Sequence, residues 1–466
     1  MANTYLTRTL GSPTSSKIGT LSWWQKGATT DTTQYILACE SGNERLLWYM
    51  TSGRFQGGLR ASSTPPDIDF TLSGTPRFRD PNMWYHCVLS WDSSQGTPAD
   101  RIKFYVNNVE YTVVGSGTSG VNDIPQDHTM PMNKSGLPFR IGSTIGGGSY
   151  FVGSMSHMHF IDGIRYAPSV FGSTDSTTGE WKINDDPSGI SSYGNNGFWW
   201  LKNTNALTDS SPNSNTPTQG GAGLTLTQDN PSNSFATFDT LRHSGSDYSF
   251  GNTHCYTVSG TYESRPTYSS LGMQSGKYYA EVKVEAPNSG NPDYALIGIT
   301  GRNVPNLTGS EQYVHLGSQS QDYAVYSYNG NMMNNTGSSN NGSTYAATYT
   351  TNDIIGIAVD LDNNKLYFSK NGAWANGSGA WGSSTFDSTV GAITIAAPTT
   401  TQERFYFFAV DAYHYTPRYN FAANFGNGYF NSTTVTSEGT NASANGIFEY
   451  DVPTGYTALS TKGLNL

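Results

Sequence analysis

Asp353–Ala373 reads DIIGIAVDLDNNKLYFSKNGA, and its reading decides the fold. Ile354, Ile355, Ile357 and Val359 form a run with few polar breaks, as expected of a strand buried on both faces. Asp360-Leu361-Asp362-Asn363-Asn364 is a polar turn, and Lys365-Leu366-Tyr367-Phe368-Ser369 returns as a second strand. Asn371-Gly372 turns the chain again, because both residues tolerate positive φ. The first half of the chain repeats this pattern. Trp84 to Asp92 (WYHCVLSWD) is a strand, a polar loop follows, and Arg101-Ile102-Lys103-Phe104-Tyr105-Val106 leads into an Asn107-Asn108 turn. Each half therefore carries one long hairpin of β-branched and aromatic residues. The chain reads as all-β, with two tandem antiparallel sandwiches, each folded around its own hairpin. Val88 and Ile357 are expected at the centres of the two domains.

The bulk properties agree. A length of 466 residues suggests about three domains, but all-β sandwiches run to about 200–250 residues each, so two fit. Charged residues are only 13% and glycines number 52, too few helix formers for a helical protein. Aromatics reach 13%, including 30 tyrosines, which suits half-exposed strands. A formal charge of −10 disfavours nucleic acid and anionic membranes, which require clustered Lys and Arg. Cys39, Cys87 and Cys255 are an odd, sparse set, which argues for free buried thiols and a reducing compartment. The N-terminal residues lack the apolar core of a secretory signal, and no 18-residue apolar run predicts a membrane span.

Residues 1–204 are assigned to the first sandwich. Lys17–Lys26, Tyr35–Cys39, Arg45–Met50, Phe139–Gly142 and Tyr150–Gly163 join the hairpin as strands, and Ala167–Gly172 reads as one short helical turn. Residues 205–237 are rich in Ser, Thr, Asn, Pro and Gly and read as a linker or strap. Residues 238–466 form the other sandwich. Its strands are Gly276–Glu285, Ala295–Ile299, Tyr323–Gly330, the organising hairpin, Phe405–Val410 and Tyr419–Gly426.

The N-terminal sandwich resembles the laminin-G-like, pentraxin-like group of the concanavalin-A-type jelly roll. Trp84-Tyr85-His86, Ile102–Val106 with its Asn-Asn turn, Phe139-Arg140-Ile141-Gly142 and Gly153-Ser154-Met155 carry that resemblance. The C-terminal sandwich resembles a SPRY domain, through Gly276–Glu281, Gly298-Ile299, Asp353–Asp360, Leu366–Gly372 and Asn424-Phe425-Gly426. SPRY domains are binding modules without catalytic residues, so the resemblance implies none here. Three further stretches are similar to structural proteins of tailed bacteriophages, including marine and cyanobacterial ones. They are Phe160–Leu201 (through Phe171-Gly172 and Thr178–Trp181), Asp229–Thr237 and Phe448–Tyr456.

Several constellations could carry chemistry. Glu281 and Glu285 lie on one face of a strand with Lys283 between them, where sandwich glycosidases place acids. Residues four apart on a strand are separated by about 13 Å. Retaining enzymes need about 5.5 Å between carboxyls and inverting ones at most about 9.5 Å. The pair cannot work as acid and base, and a solvated face is expected. His157 and His159 share a strand face and His86 lies in another strand. Three imidazoles suit a metal, but no supporting acid stands at a fixed spacing, and the structural reading is preferred. No metal or other cofactor is expected. Asp92 and Asp100, with Asp123 and Asp127 beyond, are the weak calcium alternative, since no D-x-D-x-D run is present. Trp374, Trp381, Tyr413 and Tyr415 stand in Gly- and Asn-rich loops of the SPRY-like sandwich. Their rings either stack on a partner or pack against their own loops.

The sequence thus predicts a non-enzymatic virion structural protein of a tailed phage, in a tail fibre, spike or capsid decoration. Its expected partners are other virion proteins and copies of itself, with host surface polysaccharide as a further target and no membrane insertion. Its expected location is the virion, after synthesis in the host cytoplasm. A carbohydrate-active enzyme and a bacterial surface adhesin are the rivals. The missing acidic triplet counts against the first, and the missing secretion signal against the second.

Overall fold

The computed structural model describes residues 3–465 except 28–31, 42–43, 61–67, 75–77, 79, 116–123, 203–206, 222–223, 241–245, 258–265, 286–293, 303–314, 338–341 and 413–419. Alternation of apolar and polar residues makes sheets throughout: about 43% of the chain is strand and about 4% helical. The helical turns among the described residues are short 3-10 pieces such as Pro168–Val170, where the single turn was expected. The chain divides into two compact units. One holds Met1–Leu226 and Asn230–Ser232, the other Thr227–Asp229 and Asn233–Leu466.

In the first unit a six-stranded and an eight-stranded antiparallel sheet face each other. Tyr85–Asp92 lies between Ile18–Gly27 and Ile102–Val106, with Cys87 opposite Val106 and Trp91 opposite Ile102. Asn107 and Asn108 take φ of 46° and 68°, closing the predicted hairpin by the turn that matches strand twist. Leu21, Trp23, Leu89 and Phe104 meet Leu46, Trp48, Phe55 and Phe139 in the core. Trp48 stacks on Phe104 at 5.0 Å across the two sheets. The reading of 205–237 as one strap divides in the structure. Thr218–Gly221 pairs with Thr4–Thr9 as an edge strand of the first unit, while Phe235 and Ala236 are buried in the second. Val88 is buried, but on the outward face of its sheet with Ile161 and Trp199, beneath Phe171 and the other covering residues of 164–197. It was expected at the centre of the domain. The residue count of its strand put it on the other side of the pleat.

The second unit stacks a nine-stranded sheet on a five-stranded one. Ile354–Asp360 sits between Lys277–Glu285 and Lys365–Lys370, near the middle of the larger sheet. All seven of its residues are buried. Ile355, Ile357 and Val359 face the core, where they meet Ile297, Ile299, Val325, Phe408 and Val410 of the smaller sheet. Ala358 faces the other way and is covered too, by Phe448, Val452 and Tyr456 of a C-terminal strap. Within that strap Thr457–Ala458 runs parallel to Tyr278 and Tyr279. Gly356 leaves room for the Ser369 and Tyr279 hydroxyls, on which a Cβ there would press. Cys39, Cys87 and Cys255 are buried free thiols, and burial pushes each well above the usual thiol range.

Ile357 has no exposed surface. Ile357→Asp is expected to abolish folding of the second unit, since an unpaired buried charge costs several kcal/mol. Ile357→Val should cost only about 1 kcal/mol. Urea melts of both variants check the contrast, and an Asp variant that melts like the parent would remove this strand from the core.

Candidate functional site

One end of the second unit gathers exposed and half-buried aromatic rings, and the strand register fixes which residues reach it. Ala295 pairs with Ala412, Ile355 with Lys370 and Glu285 with Asn420, so these strand ends share one rim. Asp322–Tyr326 stops there, and Tyr328 follows it beside the Asn329-Gly330 turn. Tyr328 is 52% exposed. Its ring lies nearly parallel to that of Tyr294, at 6.2 Å and 7°, and 6.0 Å from the buried ring of Tyr326. Beneath them the backbone is held stiffly. Ala295 N donates to Ser327 Oγ at 2.8 Å, and Tyr349 Oη donates towards the carbonyls of Ala295 and Val325 at 2.8 and 3.0 Å. One residue earlier, the Thr348 carbonyl accepts from Trp381 Nε1 at 3.3 Å and from Lys370 Nζ at 3.2 Å. The Lys370 ammonium stands 5.9 Å from the centre of the Trp381 ring. The segment Thr348-Tyr349 therefore links a half-buried Trp–Lys pair to the stacked tyrosines.

The four predicted contact residues fare differently. Trp381 belongs to this rim. Trp374 does not: it is 8% exposed and forms a short strand with Ala373 against Ser369 and Lys370. Its ring packs edge-on to Phe386 at 4.8 Å and near Tyr279 at 6.3 Å. Asn371-Gly372 makes a tight hairpin rather than a loop, and the hairpin returns Trp374 onto the sheet. Tyr413 and Tyr415 lie outside the described residues. Sequence reading passed over Tyr294 and Tyr328. The signal for Tyr328 was its place directly before Asn-Gly, which ends the strand and leaves the ring at the rim.

The acidic and histidine sets are structural. Glu281 and Glu285 share a face, but that face is not solvated at Glu281, which has no exposed surface. The covering strap approaches from a distant part of the sequence. Asp92 accepts from Ser94 N at 3.0 Å and from Gln95 Nε2 at 2.5 Å within its own turn. Asp100 pairs with Lys103 and Asp127 with Lys17, and Asp123 lies outside the described residues. Each of the described carboxylates has a local partner, and among the described residues they form no group of three.

His86, His157 and His159 are buried on the outward face of the six-stranded sheet. His86 lies between Trp24 at 4.8 Å and Trp181 at 5.9 Å. Trp181 Nε1 donates to its Nδ1 at 3.0 Å, so the ring proton is on Nε2 and faces Ser22 Oγ at 2.8 Å. His159 stacks on Trp199 at 4.6 Å and bonds the Tyr193 hydroxyl at 3.0 Å. His157 stands at a bulge with φ of 46° and bonds Ser156 Oγ at 2.7 Å. Burial pushes His86 down to about 3 and His157 to about 4, and holds His159 well below the usual imidazole range. Among the described residues no three His, Cys, Asp or Glu side chains are grouped to hold a metal.

Comparison with known proteins adds the families. Residues 2–171 match the model of the concanavalin A-like lectin/glucanases superfamily, and residues 277–399 match that of the SPRY domain. The chain joins a concanavalin A-like domain to a SPRY domain. A Ran-binding proteins 9/10 homolog of Drosophila melanogaster is 35% identical over 97 residues, 21% of this chain and 9% of that protein. Human Ran-binding protein 9 is 34% identical over 99 residues, 21% of this chain and 12% of that protein. The chain thus spans about a tenth of the length of the curated relatives it matches. The SPRY domain of human HERC1 is similar at 18% identity, with 40% of this chain and 96% of that chain covered and a TM-score of 0.28.

These findings correct the functional expectation. The sequence pointed to a tailed-phage virion protein, whereas the curated relatives are animal Ran-binding proteins 9 and 10 and the matched families are domain families. The rim residues Tyr294, Tyr328, Lys370 and Trp381 all lie inside the SPRY match, while the C-terminal strap lies beyond it.

The neutral histidines set an acid limit for the concanavalin A-like domain. Their folded-state affinity for protons is below that of the unfolded chain, so their contribution is complete above the ordinary value of 6.5 and is lost as pH falls. At pH 5 each histidine is expected to cost up to about 2 kcal/mol. Eight of the ten tryptophans lie in this domain, so tryptophan fluorescence reports its melting. Its Tm should fall between pH 7 and pH 5, and an unchanged Tm would mean the imidazoles are solvated.

Proposed function

We propose that this chain is a non-enzymatic protein-interaction molecule whose SPRY domain holds a segment of a partner protein against the rim formed by Tyr294, Tyr328 and Trp381. The observation that carries the reading is the ring of Tyr328, half exposed and stacked flat on Tyr294 at the end of a rigid sandwich. An exposed ring adds little to the fold, while covering it with a partner recovers about 1.5–3 kcal/mol. Loops and strand ends are where sandwiches place recognition, because the sheets hold them still. The relatives matched over the SPRY region are named for binding a protein, which supports a protein as the class of partner. Lys370 beside Trp381 adds a cation held at this rim.

The test separates contact from core. Tyr328→Ala is expected to leave Tm within about 1 °C of the parent, as surface changes usually do. It should weaken binding of peptides selected on the wild-type chain from a random library by about tenfold or more. Trp374→Ala should do the reverse, costing about 3–5 kcal/mol of stability as a core truncation. Calorimetry and fluorescence anisotropy read both. Selected peptides that bind the Tyr328 and Trp381 variants as tightly as the parent would place recognition elsewhere.

A further inference from the structure

The outward face of the nine-stranded sheet holds a carboxylate that the interaction reading does not use. Lys277–Glu285 alternates, so Tyr278, Ala280 and Val282 enter the core while Tyr279 and Glu281 point outward. The strap of residues 427–465 lies over them and seals an aromatic face made of Tyr279, Tyr367 and Trp374. Besides the pairing of Thr457–Ala458 with Tyr278 and Tyr279, it grips Glu281. Glu449 N donates to Oε2 and Tyr450 N to Oε1, each at 2.9 Å. Asn424 Nδ2 reaches Oε2 at 3.2 Å, and the Tyr279 hydroxyl reaches Oε1 at 3.2 Å. Asn424 is itself fixed, since its Oδ1 accepts from Gly426 N and Gly428 N at 3.0 and 3.1 Å.

We propose that the strap is a proton-controlled cover: Glu281 takes up a proton as the strap docks and gives it back as the strap lifts, so mild acid closes the cover and alkali loosens it. The geometry admits the proton without losing a partner. An Oε1–H can donate to the Tyr279 oxygen while Oε1 still accepts from Tyr450 N, and the hydrogen that Tyr279 then turns away has the buried Ser369 Oγ, which holds no hydrogen bond among the described residues, as an acceptor close by. Oε2 keeps Glu449 N and Asn424. Lifting the strap would return Glu281 to water and to ordinary carboxyl behaviour. Closed, burial pushes it up to about 7 against the four hydrogen bonds. The sign follows: closure is tightest below the ordinary value of 4.5 and is lost as pH rises through 7.

Other ionisable groups face the strap. Lys277 pairs with Asp360 at one end of the strand, and Glu285 pairs with His254 and touches Asn431 of the strap at the other. Lys283 lies between Glu281 and Glu285 on the same strand face, and Asp353 bonds Asn371 in the adjoining turn. Glu449 and Asp451 bond Thr436 and Thr440 inside the strap. Burial holds Tyr367, Tyr450 and Tyr456 above the usual phenol range, outside the window. His254 Nε2 lies 3.1 Å from Glu285 Oε2, so a His254 variant serves as the control.

Hydrogen–deuterium exchange of the full chain tests the cover. Peptides spanning 446–452, corrected for the pH dependence of chemical exchange, should lose protection on the order of fiftyfold to a hundredfold between pH 5 and pH 8. The strand Ile354–Asp360 should stay protected at both. Glu281→Gln should flatten the dependence, and His254→Gln should keep it. Equal protection at the two pH values, or a Glu281→Gln variant that retains the slope, overturns the proposal. Should Glu281→Gln fail to fold, a carbon-13 titration of the Glu281 carboxyl in the wild-type chain decides: a midpoint above about 5.5 supports the cover and one below it overturns the proposal.

Discussion

A strand that is apolar on both faces has to be covered on both faces, and the SPRY domain is built around that demand. Ile354–Asp360 turns Ile355, Ile357 and Val359 towards the five-stranded sheet, which covers them in the usual way of a sandwich. Its other face, with Gly356 and Ala358, would be left in water beside Tyr279, Tyr367 and Trp374. The strap meets this need by laying Phe448, Val452 and Tyr456 over the exposed side. Covering the face also buries whatever polar group shares it. Glu281 shares it, so the strap had to bring donors: two successive backbone amides and, from the sheet, Asn424.

The concanavalin A-like domain solves the same problem with different chemistry. The outward face of its six-stranded sheet carries Val88 and Ile161 next to three histidines. Residues 164–197 roof it with Phe171, Trp181 and Tyr193, and Trp199 joins them from the sheet's own edge strand. Histidine can be buried neutral at little cost when its ring nitrogens find partners, and Ser22, Trp181, Tyr193 and Ser156 supply them. The two domains therefore respond to acid in opposite senses at these sites. Neutral imidazoles resist burial when protonated, whereas Glu281 resists burial when ionised.

Covering both sheet faces leaves the ends of the sandwich as the place for recognition. At the end where Ala295, Lys370 and Ala412 meet, rings project from turns that short backbone bonds hold in place. The contrast between Trp374 and Tyr328 shows the rule. Trp374 follows a two-residue turn that folds it back against Ser369, onto a face that needs covering. Tyr328 follows the last paired residue of its strand, so no neighbouring strand receives its ring.

The sequence by itself determined the class of fold, the two hairpins and most strand positions, because period-two alternation and Asn-Gly or Asn-Asn turns are local properties. It also determined that Ile354–Asp360 is buried twice over, since an unbroken apolar run has no solvated face to offer. It could not say what covers the outward face. That cover comes from Phe448 to Tyr456, far downstream, in a stretch where no strand was read. The same gap made a solvated face of Glu281, a loop ring of Trp374 and a strand residue of Tyr328. Whether a polar or aromatic side chain meets water depends on which distant segment packs over it. Only the tertiary structure decided that, because long-range packing has no period that a local reading of the chain can detect.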